Sequence, residues 1–201
     1  MWQTVRSRWP GSPAVLRKTA CMHFPLTFFL RNVAAVRKEF QAGKVPARVQ
    51  RRTLMRLLRQ RISCYSQVKS WLKGAGIRPD RIFGHPEVGH SSSPYCNHCG
   101  GCCEIPGGMP DFPGESPLPA KGREWFGEGL GPGHRFCPFL WESGETGRSF
   151  CSIHPWRPNP CRIFDHEECA VVKGDPDFTA SCRPEQLLET CRWLVRLLDG
   201  R

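Results

Sequence analysis

Ten of the twelve cysteines in this 201-residue chain lie beyond position 95, and four of them form one run, Cys96-Asn-His-Cys99-Gly-Gly-Cys102-Cys103. No other feature restricts the fold so strongly. Two-residue gaps let successive thiolates turn back toward a single ion, because a tight turn brings sulfurs three positions apart within coordination reach. Asn97, Gly100 and Gly101 are expected to supply the backbone angles of that turn. Downstream stand Cys137-Pro-Phe-Leu140, then Cys151-Ser-Ile-His154, then Arg157-Pro-Asn-Pro-Cys161-Arg162-Ile-Phe164. Cys169 and Cys182 follow more loosely.

Three chemistries compete for so much sulfur. Six disulfides fit the even count and the many proline–glycine loops. Adjacent Cys102 and Cys103 with interlocking C-x-x-C steps are awkward for ordinary bridges, however. Exchange-type redox thiols also use C-x-x-C, but no parallel-sheet pattern surrounds these, and four clustered thiols exceed what exchange needs. Metal coordination accounts for the whole pattern. An all-sulfur set selects zinc or an iron–sulfur cluster over magnesium, calcium or manganese.

In three ordered blocks over about residues 95–165, the chain resembles the bacterial cysteine-cluster family described as zinc- or iron-chelating, the YkgJ-like family. The blocks are C-x-x-C-x-x-C-C at Cys96, Cys99, Cys102 and Cys103; C-P-x-L at Cys137, Pro138 and Leu140; and C-x-I…R-P-x-x-C-R-x-F at Cys151, Ile153, Arg157, Pro158, Cys161, Arg162 and Phe164. The family's tyrosine is His154 here. The resemblance implies metal binding without assigning a reaction. Cys96, Cys99, Cys102, Cys103, Cys137, Cys151 and Cys161 are the expected ligands, with Cys169 as the eighth.

Two tetrahedral zinc sites would use eight such ligands and staple a chain with a modest core. The C-x-x-C-x-x-C start equally resembles a bacterial ferredoxin run, although Cys103 stands next to Cys102 rather than three residues further on. The reading leans to iron–sulfur. Either centre is anionic, so Arg157 and Arg162, which flank Cys161, are expected to donate N–H bonds to its sulfurs. Surface pairing with Asp165, Glu167 or Glu168 is their alternative role. His98, His154 and His166 are read as neighbours of the centre or as exposed residues rather than ligands.

The charge is divided along the chain. Residues 1–90 hold 18 Lys and Arg against three acids, whereas residues 91–201 hold 11 against 15. Four segments follow: residues 1–21, a disordered tail or mis-called start; a basic helical arm, 22–76; a linker, 77–95; and a cysteine-rich metal-binding domain, 96–201. Arg17 and Lys18 before the apolar run 19–30 suggest an export signal, but His23, Pro25 and Arg31 spoil it, so a cytoplasmic location is expected. No apolar run approaches the roughly 20 residues of a membrane span.

Apolar residues at three- and four-residue steps predict a helix from Leu26 to near Gly43. A second runs from about Pro46 to Lys73, with Leu54, Leu58, Ile62, Tyr65, Val68 and Leu72 on one face and Arg48, Arg52, Arg56 and Arg59 opposite. Arg51 and Arg61 intrude near the apolar face. Residues 104–136, with eight Gly and six Pro, are expected to be a long loop. Residues 137–154 predict a β-hairpin, and Pro184 starts a terminal amphipathic helix in which Cys191 is a core residue. Cys64 reads likewise as core. The expected class is α+β: a small irregular metal-stapled domain with a β-hairpin, flanked by N-terminal helices and a C-terminal amphipathic helix.

Three roles suit such a protein: an iron–sulfur protein for electron transfer or sensing, a zinc-stabilised module binding nucleic acid or protein through its basic helices, and a metal-assisted enzyme with an open coordination position. No Ser–His–Asp set, nucleotide loop or carboxylate pair can be assigned, so no enzyme class is predicted.

Overall fold

The computed structural model describes residues 23–77, 98–104, 110–131, 133–144, 146–159, 161–174 and 184–200. The expectations for residues 1–21, for nearly all of the linker, and for Cys96 and Cys182 lie outside the described residues. What is described is α+β and helix-rich: five helices and one two-stranded antiparallel sheet.

Helix α1, Leu26–Ala42, has no side-chain cap of its own, because Pro25 precedes it. Its first-turn amides would be left without acceptors. Glu142 supplies them from the sheet: the Thr27 and Phe28 N–H groups donate to its two carboxylate oxygens at 3.0 and 3.3 Å. Helix α2, Ala47–Gly74, buries Leu54, Leu57, Leu58, Cys64, Tyr65, Val68 and Leu72 on one side. It ends in a Schellman arrangement, with Gly76 N–H bonded to Lys73 O and Ile77 N–H to Leu72 O. Helix α5, Pro184–Asp199, packs on α1 and α2 through Leu187, Cys191, Leu194 and Leu198. Arg51 donates to the Leu198 carbonyl near its C-terminal end. Cys64 and Cys191 are core residues, as their helical positions predict.

Strands β1, Leu140–Glu142, and β2, Ser149–Cys151, pair with Leu140 opposite Cys151 and Trp141 opposite Phe150. The hairpin is thus where the sequence places it. Trp141 is its anchor, ringed by Tyr65 at 5.0 Å, His23 at 6.0 Å and Phe150 at 6.1 Å between centroids. One core contains residues of α1, α2, the hairpin and α5. The cysteine-rich segment is therefore built directly onto the helices.

Two helices escape the sequence reading. The expected loop over 104–136 contains helix α3, Ala120–Glu128. Its glycines conceal it, yet Gly122 is there for contact: a Cβ would stand 3.0 Å from the Trp71 ring, which packs against Trp125. Helix α4, His166–Gly174, has a weak apolar stripe but a reciprocal cap. Glu167 N–H donates to Asp165 at 2.7 Å, and Asp165 N–H donates to Glu168 at 3.0 Å.

Burial pushes the Glu142 carboxyl up to about 8, against the two α1 amides and Arg31, which favour its anion. The folded state therefore holds a proton that the unfolded chain has released. Its stabilising share is whole below the ordinary carboxyl range and is lost as pH rises through about 8. Glu142→Gln is expected to remove that share of the pH dependence, so the stability gap between variant and wild type changes by a few kcal/mol between pH 5 and 8. Urea melts at several pH values check this, and parallel curves would contradict it.

Candidate metal centre

The cysteine turn is held on three sides. Gly100 has φ +77°, and a Cβ there would fall 2.6 Å from Phe28 and 2.8 Å from Ser149 Oγ, so only glycine fits. A single 3₁₀ turn, Gly101–Cys103, follows it. Gly101 is not left-handed as expected; His98, with φ 56°, carries the other positive angle. The His98 carbonyl accepts from Ser149 N–H at 2.9 Å, which joins the turn to β2. Glu104, just after the turn, pairs with the buried Arg31 of α1 at 2.7 Å. Cys137 N–H donates to the Cys103 carbonyl at 2.7 Å and brings the second cysteine block onto the first.

The thiols meet around that junction. Cys103 is half-buried, and its thiol interacts with Cys102 on one side and Cys137 on the other. These interactions, burial and the neighbouring sulfurs raise Cys103 well above the usual thiol range. The same interactions lower its partners: Cys102, at the surface, falls to about 7, helped by the charge of Arg157, and Cys137 falls too. The three thiols thus share their protons unevenly, with Cys103 favouring the thiol more than its two neighbours. Cys151 ends β2, and Cys161 lies in a turn in which its N–H donates to Pro158 O and Asn159 O. Burial raises both, and repulsion from Cys137 adds to it; Cys161 reaches about 12. Cys99, raised chiefly by burial, is near Cys102 and Cys169. Cys169 arrives on α4, which packs on the 3₁₀ turn.

Seven of the eight expected ligands, drawn from five separate stretches of chain, are thus linked pairwise by their electrostatic influence on one another, Cys169 through Cys99 alone. All nine cysteines among the described residues are free thiols. Among the described residues no group of three or more His, Cys, Asp or Glu is set to hold a metal ion as it stands. The donor chemistry suits soft, thiolate-bound metals, and the surrounding donors suit an anionic centre.

Those donors are partly unexpected. Arg157 acts on Cys102, Cys151 and Cys161, and its Nε is buried with no hydrogen-bond partner among the described residues. Arg162 instead reaches Asp111 at 3.7 Å, a surface pair with a different acid from those expected. Arg61 is the residue that the sequence reading passed over. It is 1% exposed, lies 3.8 Å from the Phe136 ring centroid, and donates to the Phe136 and Cys137 carbonyls at 3.2 Å each. Among the described residues no carboxylate pairs with this buried cation, and its electrostatic neighbours are Cys64 and Cys137. His134, driven down to about 3 by burial and by Arg61 and Arg56, accepts from Arg61 as a neutral ring. The only sequence sign of this arrangement is an arginine on the apolar face of α2. His166 is exposed and His154 half-buried in the 3₁₀ turn His154–Trp156. Among the described residues no helix is long and apolar enough to cross a membrane. Searches against protein-family profiles, curated proteins and solved structures found no match to the chain.

Proposed function

We propose that this protein binds a metal centre through cysteine thiolates and is related to the YkgJ-like cysteine-cluster family. The observation that carries the reading is the joining of the cysteine blocks. Cys137 N–H bonds to the Cys103 carbonyl, and the helix of Cys169 packs on the Gly101–Cys103 turn. Cys99, Cys102, Cys103, Cys137, Cys151 and Cys161 act electrostatically on one another, with Arg61 and Arg157 acting on them. Cys96 is the proposed eighth ligand. A metal replaces the protons that the thiols now carry or share, and leaves an anionic centre that the two arginines offset.

The favoured centre is an iron–sulfur cluster, which supplies one-electron transfer when bound, so electron transfer or sensing is the role proposed. Zinc is the second reading. One observation favours it: regular structure beside the thiols amounts to two three-residue strands, single 3₁₀ turns and a nine-residue helix, and a staple would hold them together. In either case the thiols belong in a reducing compartment, and a cytoplasmic location is proposed.

Alkylation of native protein tests the reading directly. Metal-loaded protein is expected to protect the seven clustered cysteines from iodoacetamide, and chelation is expected to release them. Cys64 and Cys191, shielded by the core, should behave alike in both states. Identical labelling of the seven before and after chelation would refute the proposal.

A further inference from the structure

Helix α2 carries a second surface that the cysteine centre does not use. It contains eight basic residues and no acid in 28 positions. Arg61 is buried; Arg48, Arg52, Arg56 and Arg59 are all exposed and fall within an arc of about 80° on a 3.6-residue helix. That arc points away from the face buried by Leu54, Leu57, Leu58, Val68 and Leu72. The same polar face continues through exposed Ser66, Ser70 and Lys73. Like charges at four-residue steps, Arg48 to Arg52 to Arg56, weaken an isolated helix rather than support it.

Among the described residues nothing answers this row. Among the described residues none of the four arginines makes an ion pair, while three acids of neighbouring elements are engaged elsewhere: Glu39 with Arg135, Glu189 with Arg37, Glu104 with Arg31. Outside the described residues the sequence offers only Asp80, Glu87, Glu145, Asp175 and Asp177, with no acidic run among them. The row is therefore open to another molecule.

We propose that the exposed Arg48–Arg52–Arg56–Arg59 face of α2 docks on the phosphate backbone of double-stranded nucleic acid, without reading its sequence. Guanidinium forks match phosphate oxygens, and a rigid row about 16 Å long spans the rise of about five base pairs. Two features choose this partner, and a third bears on how it is read. An interfacial membrane helix must turn its apolar face to lipid, and the apolar face of α2 is buried in the core. Single strands are held by stacking on aromatic side chains, and no aromatic residue lies among these arginines. Adenine is read by Asn or Gln amides, and the two glutamines of this region, Gln50 and Gln60, are already bonded to Val45 O and His134. The proposal stands apart from the metal reading.

Fluorescence anisotropy of the full chain with a mixed-sequence duplex tests it, across a salt series. With four phosphate contacts the logarithmic salt slope is expected near about −3.6, an affinity loss on the order of 100-fold between 50 and 200 mM. Arg52→Gln/Arg56→Gln should halve the slope and reduce the loss to about tenfold. The control Lys38→Gln/Arg192→Gln removes the same charge from exposed positions on α1 and α5 and should leave the slope unchanged. Far-ultraviolet dichroism and metal content, matched to wild type, show that each variant is folded. Absent duplex binding, an equal slope in the α2 variant, or tighter binding to single strands or to anionic vesicles would each overturn the proposal.

Discussion

Cys137→Ser is expected to purify with less than about a tenth of the wild-type metal, because losing a ligand, or even a residue behind one, costs 10–100-fold in affinity. Cys137 lies where the blocks join. Its thiol interacts with that of Cys103, its charge bears on Cys151 and Cys161, Phe139 N–H approaches its sulfur at 3.4 Å, and its carbonyl accepts from Arg61. A serine hydroxyl keeps the hydrogen bonds but not the soft, ionisable donor. Cys99→Ser and Cys161→Ser should act in the same direction. Cys64→Ser and Cys191→Ser should leave metal content unchanged, since burial pushes those thiols up to about 12 and about 11 and both belong to the helical core. Elemental analysis of the five variants decides. Equal retention in all of them would remove the ligand assignment.

The largest loss of stability is expected from Trp141→Ala, about 3–5 kcal/mol by urea denaturation, as for other large aromatic residues cut to alanine in a core. Trp141 is 1% exposed and joins the hairpin to α2 through Tyr65 and to the start of the chain's described part through His23. Collapse around the void would also move β1, and with it the Glu142 carboxyl group that caps α1. Trp141→Phe is the informative companion. The indole Nε1 is buried with no hydrogen-bond partner among the described residues, so phenylalanine loses ring area but also removes an unanswered donor. Its cost should be less than half that of alanine. An alanine variant within about 1 kcal/mol of wild type would show that the hairpin is not anchored there.

What the sequence made legible was local. Helices α1, α2 and α5 follow from apolar residues repeating at helical steps, and the hairpin follows from two short apolar runs around a Ser-Gly-Glu-Thr-Gly-Arg turn. Helix α3 stayed hidden because Gly122 and Gly127 lower its propensity, and the reason for Gly122 is the Trp71 ring of a distant helix. Helix α4 had a legible start in the Asp165–Glu168 cap, which its weak apolar stripe obscured. The cysteine turn announced itself by spacing. Its surroundings could not, since Arg61 meets Cys137 across 76 positions and Glu142 meets Phe28 across 114. Arg157 and Arg162 looked equivalent around Cys161, and only the fold sends one to the thiols and the other to Asp111.

The most direct measurement is metal and acid-labile sulfide analysis, with a visible spectrum, of protein purified without oxygen and without added metal. The account predicts brown protein containing iron and sulfide, or, on the second reading, colourless protein with one or two zinc ions held against dialysis. Protein that carries neither metal, with its cysteines found paired as disulfides, would contradict it.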